Sequence, residues 1–240
     1  MAGSRIELSP RTVSRIAGIG YLVIIFAGIF AEFIVRGTLK ESGDTFASEI
    51  ISASESLFRL GIAGDLIMVA ADILVAVALY VLLAQVNRGV ALLATAFRLV
   101  HSAVYGAGIL SLCAVVALLG VTETPLGIEA GQLDSFVATA LSLHDYAYAV
   151  GLVFFGFHCL ILGYLLFRAA FVPKILGILM IAAALGYLVD SFGFILMSNY
   201  AEYEAVLSIV VFGPAIIAEL SLAIWLLFKG ASYEMAPQAT

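Results

Sequence analysis

The sequence predicts an all-α integral membrane bundle of six transmembrane helices. Three observations carry that expectation. Hydrophobic residues make up 63% of the 240-residue chain and charged residues only 12%, whereas a soluble domain carries about 25% charged residues. The mean hydropathy is +1.14. The apolar residues also gather into six runs, each near the ~20 residues that a helix needs to cross a bilayer. The bilayer is therefore the expected partner. The net charge of −6 is segregated among the connecting segments. No basic patch interleaves with aromatics as nucleic-acid binding requires, so no nucleic-acid partner is expected.

The first span, about residues 15–36, follows a short basic segment with Arg5, Arg11 and Arg15. It is longer than the apolar core of a signal peptide and lacks a convincing cleavage site. Glu32 and Arg36 stand i,i+4 in the favourable order for a boundary ion pair. In residues 37–58, Asp44 or Thr45 can cap a short helix. Phe46, Ile50, Leu57 and Phe58 would give that helix one apolar side, which suits an interfacial position.

The second span covers about 60–86. Its Asp65 and Asp72, two turns apart, share a face. Asn87, Arg88 and Gly89 make a tight hairpin into the third span, about 90–121. There Arg98, His101, Ser102 and Tyr105 follow i, i+3, i+4, i+7 spacing and lie on one side.

An acidic loop with Pro125 leads to the amphipathic stretch LDSFVATALSL, which extends the fourth span beyond the bilayer. That span, about 140–168, carries His144, Asp145 and His158. Its Gly151, Gly156 and Gly163 suit close helix packing. Pro173 fits the first turn of the fifth span, about 173–198, where Tyr187, Asp190 and Ser191 share a side. In the sixth, about 205–229, Pro214 frees a backbone carbonyl one turn earlier. Glu219 lies near mid-span, and Lys229 closes the helix.

Together these spans form a single six-helix domain over residues 1–240. The N-terminus, the hairpin at Arg88, the turn from Arg168 to Lys174 and the tail at Lys229 hold nearly all the flanking positive charge. By the positive-inside rule both termini are cytoplasmic. One or two short interfacial helices then lie on the extracytoplasmic side. Cys113 and Cys159 sit at different depths and are expected to be free thiols.

The stretches ESLFRLGIAGDLIMVAADILVAVALYVLLAQVNRGVALLATAFRLV, LHDYAYAVGLVFFGFHCLILGYLLFR and VPKILGILMIAAALGYLVDSF resemble the prokaryotic membrane proteins grouped as domain-of-unknown-function family 4386. The resemblance covers roughly Arg15 to Lys229. It implies a six-helix domain in a prokaryotic cytoplasmic membrane and supplies no activity.

Ionisable side chains inside a span face a packed interior, a cavity or a partner. Depth at about 1.5 Å per residue sets Asp72 beside Arg98, and the two are expected to pair. A polar cavity is expected among Asp65, Asp72, Arg98, His101, His144, Asp145, Tyr187, Asp190 and Glu219. Its best use is binding or translocation of a small molecule or proton.

Three histidines also invite a metal, but His144 and His158 stand about 21 Å apart on one helix. No metal or other cofactor is expected. An intramembrane enzyme holding zinc, or haem b, through His101 with His144 or His158 is kept as an alternative. So is a regulatory or structural protein whose polar groups only specify packing. The lysines, Lys40, Lys174 and Lys229, avoid mid-span, which removes a retinal Schiff base. No Walker loop, Rossmann fingerprint, HExxH or GxSxG is present.

Overall fold

A computed structural model describes residues 8–37, 47–121 and 129–230. Helix α1, Pro10–Gly28, starts at a Ser9 cap whose side chain accepts from the Thr12 amide, with Pro10 in the first turn. It runs without a break into a π-helical stretch, Ile29–Arg36. A short helix α2, Ala47–Ala53, precedes α3, Glu55–Leu83. Then come α4, Arg88–Val121, α5, Ala130–Arg168, and α6, Lys174–Leu196. A 3₁₀ turn at Tyr200–Glu202 leads to α7, Glu204–Phe228. Among the described residues there is no strand. Six of these helices, all but α2, are long and apolar enough to cross a membrane.

Boundaries follow local chemistry. The Asn87 side chain accepts from the Val90 amide at 3.0 Å and so starts α4. Glu129 and Gln132 form a reciprocal capping box that begins α5 at Ala130. The amphipathic stretch before the fourth span is thus continuous with it, as its helical periodicity suggested. Pro173 stands just outside α6 as its N-cap rather than in the first turn. Ile51 is the fully buried residue of α2, while Ile50 is only partly covered, so the apolar side lies one residue beyond the expected register. Lys40, Asp44, Thr45, Phe46 and Pro125 fall outside the described residues.

The six long helices make a closed ring in chain order. Each packs on the one before it, and α7 returns to α1. Small residues allow the closest approaches. Where α5 crosses α6, a Cβ on Gly177 would lie 2.7 Å from both the Gly163 carbonyl oxygen and the Phe167 nitrogen. Where α7 closes on α1, Gly18 faces the Ala223 backbone and Leu227, and the Ser14 hydroxyl donates to the Leu226 carbonyl at 2.7 Å. At the other end of the bundle, α2 lies over α5 and the start of α3. Ile51 there joins Phe58, Leu112, Val115, Leu133 and Val137 in a second apolar cluster, and the Ser48 amide donates to Asp134.

Burial is inverted relative to a soluble protein. Ile209 is 77% exposed, whereas Arg98 and Asp65 are both 0% exposed. Apolar side chains outside and charged groups gathered within are what a hydrocarbon solvent demands.

Candidate functional site

Arg98 is the electrostatic centre of the bundle. Its Nη2 lies 2.6 Å from Asp72 Oδ1 in the expected ion pair between α4 and α3. Nη1 donates to the Tyr21 hydroxyl and to His158 Nε2, both at 3.0 Å. The guanidinium also rests on the Tyr21 and Phe155 rings, 4.9 and 5.2 Å from their centroids. The Ser102 hydroxyl, one turn on from Arg98, donates to Asp72 Oδ2 and lies 3.0 Å from the Arg98 carbonyl. Residues from α1, α3, α4 and α5 therefore meet at one charge pair. Hydrogen bonds of this kind offset part of the desolvation of a buried pair, although Arg98 Nε is itself buried without a hydrogen-bond partner.

Against this node lies a cavity of about 140 Å³ to which all six long helices contribute. Asp72, His101, Ser102 and Tyr105 line one side, and Tyr148, Phe155, Tyr187 and Glu219 line the other. Ile29, Phe33 and Ile216 form its outer wall. The Tyr187 hydroxyl donates to Glu219 Oε1 at 2.6 Å. That is the one hydrogen bond of Glu219 among the described residues, and both Glu219 and His101 line the cavity. His101 Nδ1 is buried against Gly151, where a Cβ would come within 3.2 Å, and makes no well-formed hydrogen bond.

A second cavity, of about 310 Å³, shares Phe33, Tyr148 and Leu152 with the first and continues toward the end of the bundle that carries Arg36. Its polar wall is acidic: Glu32, Asp145, Asp190 and Glu204. The Tyr200 hydroxyl donates to Asp190 at 2.7 Å. Partial burial and the neighbouring Asp190 hold the Tyr200 phenol above its ordinary range.

A second charge network runs from Glu32, on the wall of the outer cavity, to Tyr105, on the wall of the inner one. Arg36 takes Asp65 in a two-pronged contact at 2.7 and 3.2 Å, and its Nε donates to Glu32 at 2.7 Å. The Tyr105 hydroxyl completes the Asp65 shell at 2.7 Å. This network ties the π-helical stretch to α3 and α4.

The three histidines are kept apart by aromatic rings. Tyr105 packs against both His144 and His101, with centroids 5.7 and 6.2 Å away. Phe155 packs against both His101 and His158, at 4.9 and 5.7 Å. His158 is further committed by its partners. Arg98 can only donate and the Ala94 carbonyl, 2.8 Å from Nδ1, can only accept. The ring is therefore the neutral tautomer with its proton on Nδ1. It has no free lone pair to give a metal or haem. His144 Nδ1 sits 3.3 Å from the Gly108 carbonyl. Among the described residues, no three Cys, His, Asp or Glu side chains gather in metal-ligating geometry.

The nine expected cavity residues thus separate into three groups. Asp72, His101, Tyr187 and Glu219 line the inner cavity, and Asp145 and Asp190 line the outer one. Asp65, Arg98 and His144 line neither: Asp65 belongs to the Arg36 network, Arg98 lies behind Asp72, and His144 is packed between α4 and α5. Tyr21 and Tyr148 are additions. Each is an aromatic inside an apolar run, where hydropathy alone reads it as packing.

The profile of the family described as "Domain of unknown function (DUF4386)" matches residues 16–230. An archaeal relative from Archaeoglobus fulgidus, described as an uncharacterised protein, is 25% identical over 169 residues. That alignment covers 70% of this chain and 83% of the relative. No solved structure gives a significant match.

Proposed function

This chain belongs to the DUF4386 family, and we propose that it binds or translocates a small molecule or a proton through its buried polar cavity. One observation carries the proposal. Glu219, whose one hydrogen bond among the described residues comes from Tyr187, and His101, whose Nδ1 is buried without a partner, line the same void, although Glu219 is 7% and His101 8% exposed. Unpaired polar atoms at that depth are costly unless something else satisfies them. The inner cavity also abuts the acidic outer one through Phe33, Tyr148 and Leu152. A polar path would therefore run from one end of the bundle to its middle.

The metal- or haem-dependent alternative lacks comparable support, because rings separate the histidines and both His158 nitrogens are engaged. A structural role does suit the Arg36–Asp65 pair, which lines neither cavity.

The setting we propose is a single six-helix domain in a prokaryotic cytoplasmic membrane, with both termini inside. The positive-inside rule and the archaeal source of the relative favour it. No metal or cofactor enters this scheme.

Proteoliposomes loaded with a pH-sensitive dye test the proposal under an imposed potential. The protein is expected to pass protons well above the empty-liposome rate, and Glu219→Gln to lower that flux at least tenfold. Leu152→Cys, in a background with Cys113 and Cys159 replaced by Ser, should react with a water-soluble thiosulfonate. Flux equal to that of empty liposomes together with an inert Cys at 152 would sink the cavity function.

A further inference from the structure

Building on the cavity function just proposed, we infer its ligand class: the inner cavity takes an amphiphilic amine. The ammonium lies against Glu219 and the alkyl chain leaves between α1 and α7 into the bilayer.

The charge of the cavity wall argues for a cation. Its lining residues include two carboxyl groups, Asp72 and Glu219, and no lysine or arginine. The nearby cation, Arg98, is fully buried behind Asp72 and held by it at 2.6 Å. Arg36 is likewise taken by Asp65 and Glu32. Glu219 lines the void with one hydrogen bond, from Tyr187, and no basic residue in ion-pair contact among the described residues. Five aromatic rings line the same space, those of Phe33, Tyr105, Tyr148, Phe155 and Tyr187. Aromatic faces attract a cation, most strongly where water is excluded. An anion would meet carboxylates, and a neutral alcohol would leave the charge unanswered.

The opening argues for an apolar tail. α1 and α7 touch through Ser14 and Gly18, in the first half of α1. The π-helical stretch Ile29–Arg36 that continues α1 packs on α3 and, among the described residues, makes no extensive contact with α7. The two helices therefore part toward the Arg36 end. Ile29, Phe33 and Ile216 line the cavity and are also exposed on the outer surface of the bundle. The gap is apolar and faces the hydrocarbon. The size agrees: a void of about 140 Å³ is close to the ~150 Å³ that admits benzene in a protein core. An ammonium and the first few carbons fill it, and the rest of the chain lies in the gap.

Equilibrium binding of tritiated n-octylamine to the protein in nanodiscs, corrected with empty nanodiscs, tests the inference. Saturable binding at one site per chain is expected. Unlabelled octylamine should compete at least tenfold better than 1-octanol or octanoate. Glu219→Gln should weaken binding at least tenfold. Ile216→Trp, a change at an exposed position that leaves the charges intact, should slow association by filling the gap. It also serves as a second probe if Glu219→Gln fails to fold. Equal competition by octanol, or undiminished binding in both variants, overturns the amine assignment. Absence of saturable octylamine binding overturns it too, and proton flux then judges the broader cavity function separately.

Discussion

The Asp72–Arg98 pair can be cut from one side or from both, and the difference measures what holds the bundle centre together. Asp72→Asn keeps the side-chain shape and the Ser102 contact but removes the negative charge 2.6 Å from Nη2. With about 4 Å between charge centres and an effective dielectric constant of about 20, the attraction lost is about 4 kcal/mol. Breaking a buried pair from one side typically costs about 3–5 kcal/mol, because the surviving charge stays buried. Tyr21 and His158 still accept from Nη1, which places the expected loss near the lower end, about 3 kcal/mol. Arg98→Gln alone should cost a similar amount. In the double variant neither charge remains, so its loss should fall short of the sum by about 2 kcal/mol or more. Unfolding in mixed micelles with increasing dodecyl sulfate, followed by circular dichroism, gives all four stabilities. A coupling below about 0.5 kcal/mol would refute the claim that this pair organises the centre.

Three further outcomes are expected. Gly177→Ala pushes a Cβ to 2.7 Å from backbone atoms of α5 and should lower stability by about 1–3 kcal/mol. Gly120→Ala meets nothing within 4 Å and should leave the thermal midpoint unchanged or raised; equal effects would refute the close crossing. Nitrogen-15 NMR of His158 should show a proton on Nδ1 and a bare Nε2, and the opposite tautomer would contradict the Arg98 contact. Single cysteines at Asn87 and Glu202 in a cysteine-free background should react with an impermeant maleimide from opposite sides of the membrane. Asn87 is expected inside, and labelling from outside would reverse the proposed orientation.

The parts legible in the sequence are those set by strong local periodicity. Six apolar runs gave six helices, and the 3.6-residue repeat put Arg98, His101, Ser102 and Tyr105 on one buried side. Depth counting along adjacent antiparallel helices was enough to pair Asp72 with Arg98. It was not enough for Asp65, whose depth suits the cavity but whose side chain meets Arg36 from α1 instead. A depth estimate carries no information on the azimuth of one helix against another. The π-helical stretch compounds this, because its wider turn re-aims Glu32 and Arg36 and nothing in IFAEFIVR announces it. Tyr21 and Tyr148 were hidden for a simpler reason: a phenol in an apolar run shows its polar end only when a partner or a void is placed beside it.

A ring whose spatial order equals its chain order has a defined order of assembly. Every helix but the first meets its packing partner immediately upstream, so those seams can form as the chain is inserted. The two seams that α7 makes, with α6 and with α1, must wait for the last span. The Arg98 node draws its residues from α1, α3, α4 and α5. It is therefore complete while the bundle is still an open trough. Glu219 arrives only with α7. The costly buried charges are thus neutralised early, and the pocket exists only once α7 is in place. A chain stopped before Glu204 should keep its charge pair and lack a place for any ligand.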